Sequence, residues 1–151
     1  MSKFKKLIKL PTKDKIFVFR LFYLMGIFRA MMLLIPFKKL KKYLGTSKVE
    51  SKQKLTEKNL SYIKKLRFFI IKVSNNTPWE SKCLVQAMTA QCLLREKGLK
   101  TTLYLGVGKS GDIFESINSE NMIAHAWIRC GEEFVTGGDG KGYAIVGKFT
   151  K

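Results

Sequence analysis

Apolar residues recur every three or four positions through LTEKNLSYIKKLRFFIIKVS, residues 55–74, placing Leu60, Ile63, Leu66, Phe69, Ile70 and Val73 on one face. That spacing predicts a helix with one buried side. Upstream, IFVFRLFYLMGIFRAMMLLIP (16–36) is apolar on every face apart from Arg20 and Arg29. It has the length of a bilayer span, but a charge at mid-span costs about 3 kcal/mol on insertion scales. The segment therefore reads as a packed or partner-covered helix, starting with Thr12 as N-cap and ending before Pro36. Contact with an anionic membrane surface, aided by the basic run FKKLKK (37–42), is the alternative. GTSKVESKQK (45–54) is polar and reads as a loop.

A stronger helix follows in SKCLVQAMTAQCLLREKG (81–98), built from good helix formers and stopped by Gly98. Beyond it the texture changes to short β-type runs: TTLYLGV (101–107), MIAHAWIRC (122–130), EEFVTG (132–137) and YAIVGKF (143–149). The polar stretch KSGDIFESINSEN (109–121) lies between the first two as a loop. Helices, one central helix and then an antiparallel meander make an α+β arrangement.

Composition adds a division. The 151 residues are 46% hydrophobic, enough for a core, and carry a net charge of +18. Residues 1–72 hold 20 Lys/Arg against three acids, whereas 73–151 hold nine against eight. The charge belongs to a basic helical N-terminal region, 1–72, suited to docking a partner or a membrane. Residues 73–151 form a nearly neutral catalytic core. No zinc-finger spacing, helix-turn-helix or aromatic RNA-stacking motif accompanies the charge, so nucleic acid is not the expected partner. No apolar stretch near residue 1 is followed by a cleavage site, and three cysteines form no disulfide framework, which points to the cytoplasm. No pair of cysteines has C-x₂₋₄-C spacing, so neither a metal nor another cofactor is expected.

Three residues carry candidate chemistry. Cys83 falls at or near a helix start, where the dipole and free N–H groups favour a thiolate. Thr77-Pro78-Trp79-Glu80 fits a capping box, which would leave Cys83 in the second turn, while Ser81 as N-cap would put it in the first. His125 is the one histidine, and strand alternation sets it on a face with Ile123 and Trp127, opposite Ala124, Ala126 and Ile128. If the chain turns at Gly131, the position mirroring His125 is near Gly137, with Asp139 two residues beyond. A thiol, a base and an acid that fixes the base's tautomer form the set a cysteine nucleophile needs.

Trp79, Lys82-Cys83-Leu84-Val85-Gln86-Ala87, Leu93-Leu94-Arg95, Gly98, Leu103-Tyr104-Leu105-Gly106-Val107 and Ala124-His125-Ala126-Trp127 occur in this order. So arranged, they resemble the transglutaminase-like cysteine proteases of lasso-peptide biosynthesis, the leader peptidases that are half of a split maturation protein. Leu10-Pro11 and Ile35-Pro36-Phe37 extend the resemblance toward the N-terminus. It implies a papain/transglutaminase-like core, a central helix packed on an antiparallel sheet. It also implies Cys83 as nucleophile, His125 as base and an acid on the next strand, assigned to Asp139 with Glu132 and Glu133 as alternatives. Trp79, Lys82 and Trp127 become candidates for the oxyanion or substrate site. The implied partners are a ribosomal precursor peptide, a small leader-recognition protein and a lasso cyclase. An amide-forming acyltransferase and an inactive peptide-binding scaffold are the competing readings.

Overall fold

A computed structural model describes residues 8–109 and 122–151. Residues 1–7 and nearly all of the loop expected over 109–121 lie outside the described part. In chain order the elements are α1 (Thr12–Leu34), α2 (Phe37–Leu44), β1 (Thr46–Ser47), α3 (Glu57–Ser74) and α4 (Cys83–Glu96). Then come β2 (Thr101–Lys109), β3 (Met122–Cys130), β4 (Glu133–Thr136) and β5 (Ala144–Thr150). The strands make one antiparallel sheet in the order β1-β5-β2-β3-β4.

Local chemistry sets most boundaries. Pro11 holds the N-cap position of α1, and Pro36 separates α1 from α2 because it cannot continue the first helix yet suits the start of the second. Thr56 caps α3 through its side chain, accepting from Asn59 N at 3.3 Å. Gly98 (φ +72) stops the chain after α4. Gly131 (φ +58) turns it tightly between β3 and β4.

Helix α4 lies at the centre. Its Val85, Ala87, Met88, Ala90, Leu93 and Leu94 are buried, and it packs on β2, β3 and β4 on one side and on α1 and α3 on the other. Leu21 and Met25 of α1, Leu40 and Leu44 of α2, and Ile63, Leu66 and Ile70 of α3 belong to the same core as Leu103, Ala126 and Ile128 of the sheet. The change at residue 72 is therefore one of charge, while the packing runs through it without a seam. Arg20 and Arg29, which interrupt the apolar run of α1, pair with Glu96 and Glu80 at the two ends of α4.

Regular pairing of β2 with β3 opposes Leu103 to Ile128 and Leu105 to Ala126 on the face toward α4. The intervening pairs, Tyr104–Trp127 and Gly106–His125, lie on the other face. There Trp127, only 3% exposed, stacks on Tyr104 with ring centroids 5.4 Å apart. A second, smaller aromatic layer thus backs the sheet.

Candidate active site

Helix α4 begins at Cys83 itself. The sequence offers Thr77 and Ser81 as caps, but neither serves. A residue before proline favours extended backbone, and Thr77 turns its hydroxyl to the carbonyls of Ser74 (3.1 Å) and Trp79 (2.9 Å) and to Ser81 Oγ (2.8 Å). The two expected caps thus bond each other within an irregular turn. Lys82 takes the N-cap position in extended conformation with no side-chain cap, and the first backbone bond of the helix runs from Gln86 N to Lys82 O at 3.1 Å. Cys83 is consequently the first helical residue. The N–H groups of Cys83, Leu84 and Val85 precede any intrahelical acceptor, and no side chain caps them among the described residues. The thiol is half-buried against the core.

His125 lies midway along β3. Its Nε2 is 2.7 Å from the carbonyl oxygen of Gly137. A carbonyl only accepts, so Nε2 carries the hydrogen and the neutral ring keeps its lone pair on Nδ1. The imidazole stacks with Tyr143 (4.6 Å) and with Trp127 (5.9 Å). Glycine opposite it at position 106 is required, since a Cβ there would sit 2.7 Å from the Trp127 ring. Gly137 needs its glycine twice over. Its φ is +76, and a Cβ would run into Ala126 O and approach Trp127 Cβ at 2.8 Å.

The mirror position reasoned from the turn at Gly131 is thus met by Gly137, but through its backbone rather than through an acid. Asp139 is exposed, and its carboxylate accepts from Lys141 N (3.1 Å) and pairs with Lys141 Nζ (3.3 Å). Those Lys141 contacts, the backbone N–H foremost, hold the carboxyl below its ordinary range. Glu133 pairs with Arg67 at 3.0 Å and lies opposite Cys130, five residues along β3 from His125, about 16 Å at strand rise. Glu132, its exposed neighbour, occupies the same end.

Other candidates have structural surroundings. Trp79 packs on Phe22 (4.7 Å) and against Gly26, tying the turn before Cys83 to α1. Lys82 is exposed and pairs with Glu80 at 3.3 Å. Trp127 lies beneath Gly137 and Gly140 as the floor on which the loop rests.

Cys83 and His125 approach β3 from opposite faces, and no hydrogen bond joins them among the described residues. Two features connect their surroundings. Strand β4 pairs with β3 only from Ile128 to Cys130, so among the described residues the outer edge beside His125 has no strand on it. A cleft of about 280 Å³ is lined by Gln86, one turn past Cys83, and by Gly137 and Gly138, with Arg67, Ile71 and Thr136 farther along. Gln86 Nε2 donates to Ser81 O at 2.8 Å, bracing the turn that leads into α4. The Gly137 carbonyl carries no sequence signal beyond its spacing from His125, and Gln86 none beyond its place in the Lys82–Ala87 run.

The other two thiols differ in kind. Burial pushes the Cys92 thiol up, and it pushes Cys130 up to about 11. A raised folded-state value means that Cys130 adds stability below about pH 8.5, where an unfolded thiol begins to ionise, and loses it as pH rises toward 11. The contribution is about 3 kcal/mol. Urea unfolding of the protein and of Cys130→Ala should therefore show a stability gap that narrows from pH 8 to pH 10.5; a constant gap would contradict it.

A family model described as the transglutaminase-like superfamily matches residues 31–147, a span that contains Cys83, His125 and Asp139. No curated protein and no solved structure matches the chain. The α+β architecture, with a cysteine opening the central helix and a histidine on the antiparallel sheet, agrees with that match. The chain belongs to the transglutaminase-like superfamily, whose fold is of the cysteine-protease and acyltransferase type.

Proposed function

We propose that this protein is a cysteine peptidase that removes the leader from a ribosomally made lasso-peptide precursor, acting with a separate leader-recognition protein and supplying a cyclase with the released core. One observation carries the chemistry: Cys83 opens an uncapped helix, while the Gly137 carbonyl fixes Nε2 of His125 and leaves Nδ1 as the basic nitrogen.

Because the two side chains start on opposite faces of β3, this reading requires that peptide filling the cleft draw them together around the strand's unpaired margin. Nδ1 takes the thiol proton and Sγ attacks the carbonyl carbon at the leader–core junction. The oxyanion forms beside the free N–H groups of Cys83 and Leu84, at the positive end of α4. The tetrahedral species collapses with loss of the core amine, which leaves with the proton from His125. Water, deprotonated by Nδ1, then attacks the thioester, releasing the leader as a carboxylic acid and restoring the thiol. Asp139 acts through the loop: its bond to Lys141 N shapes the turn that presents the Gly137 carbonyl.

The test is reconstitution of the full chain with a precursor peptide and the recognition protein in heavy-oxygen water, read by mass spectrometry. A leader ending in a labelled free carboxylate is expected. A leader joined to an added amine would show an acyltransferase instead. An uncleaved precursor that is nonetheless bound would show a scaffold.

A further inference from the structure

Helix α1 presents an unbroken apolar stripe to solvent. Ile16, Phe19, Tyr23, Ile27, Ala30 and Leu34 follow one another at steps of three and four, so they share one helical face about 27 Å long. They range from 37% exposed at Ile27 to 81% at Leu34, and the half-exposed Arg20 borders them, four residues past Ile16. The opposite face, with Leu21 and Met25, is fully buried in the core. Arg20 and Arg29 are drawn toward the domain by Glu96 and Glu80, and Asp14 is held by Lys65. Asp14, Arg20 and Arg29 are thus each paired with another part of the protein, which lowers the cost that makes an isolated span unfavourable.

Lysines bracket the stripe. Lys9, Lys13 and Lys15 stand at its start, and Lys38, Lys39, Lys41 and Lys42 follow its end on and around α2. From residue 8 to 44 the one acid is Asp14. A largely apolar ridge with cations at both ends matches a bilayer interface, where acyl chains receive the ridge and anionic headgroups receive the lysines.

We infer that α1 lies in the plane of an anionic lipid surface, its Ile16–Leu34 stripe immersed and the catalytic face of the domain left in water. The inference stands on α1 and α2 alone and holds whichever bond Cys83 attacks. Withdrawing large apolar side chains from water drives the partition, so the loss of two of them should be felt.

Co-sedimentation of the full chain with vesicles tests this. The protein should pellet with phosphatidylcholine containing phosphatidylglycerol at least about tenfold more strongly than with phosphatidylcholine alone. Phe19→Glu/Tyr23→Glu, both at exposed positions, should cut that partition at least about tenfold while the thermal melt is unchanged. Replacing Lys38, Lys39, Lys41 and Lys42 by glutamine should abolish the anionic preference and provides a second, independent variant. Equal pelleting by the stripe variant overturns the inference. So does a loss of dimer in that variant by ultracentrifugation without lipid, which would assign the stripe to a second copy. Resistance to alkaline carbonate extraction would mean a spanning helix and overturns it as well.

Discussion

Cys83→Ala is expected to abolish precursor cleavage, by at least about 10³-fold in kcat/KM, with the protein still folded. The effect is large because nothing near Cys83 substitutes for its sulfur. Cys92 lies nine residues on, more than two helical turns away, and Cys130 is buried at the far end of β3. Both sit in surroundings that hold the thiol protonated. Alanine keeps the Cβ and the good helix propensity at the first position of α4. Because the thiol is only half-buried, its removal leaves a shallow gap rather than a core cavity. Circular dichroism melts alongside mass-spectrometric cleavage assays separate the two effects. Cleavage by Cys83→Ala within tenfold of the parent would remove Cys83 from the mechanism.

Gly137→Ala is expected to lower cleavage by about 10²-fold, and Gly138→Ala to leave it within about threefold. The comparison isolates one contact. Both glycines have positive φ, +76 and +73, so alanine at either costs about 1 kcal/mol of backbone strain. Only at position 137 does the new methyl meet other atoms, Ala126 O and the Trp127 Cβ; at 138 nothing lies within 4 Å. Trp127 cannot yield, because it is pinned on Tyr104 and covered by Gly140. The 137 peptide must move instead, and its carbonyl moves with it, releasing Nε2 of His125. The loss should fall on kcat more than on KM. Equal losses in the two variants would show that the loop contributes only stability.

The elements that were legible from the sequence are those in which one period dominates. Strand β3 coincides with the expected MIAHAWIRC, and α3 with its heptad-like stripe starts within two residues of expectation. Helix α2 shows in the sequence only as a basic run, because four lysines outnumber the two buried leucines, Leu40 and Leu44, that make it amphipathic. The exact start of α4 is not legible for a specific reason. Thr77 and Ser81 each look like a cap taken alone, and only in three dimensions do their hydroxyls find each other. The position mirroring His125 across Gly131 is legible near Gly137, whereas the acid assigned to the ring, Asp139, lies two residues beyond and bonds Lys141. That the ring's contact is the Gly137 carbonyl is not legible, since every residue has a backbone carbonyl and patterns record side chains. Likewise charge marks a division at residue 72, whereas core formation depends on which apolar faces meet, and Leu21, Ile63 and Leu93 meet across it.

The bare start of α4 has a consequence for how this protein can change. A serine or aspartate at position 82 would strengthen the helix by about 1 kcal/mol. Such a side chain would fold over the N–H groups beside Cys83 and occupy donors that the proposed oxyanion site uses. Gains in robustness and gains in turnover therefore pull this one position in opposite directions. Lys82, whose ammonium swings outward to Glu80, leaves those donors open to a substrate.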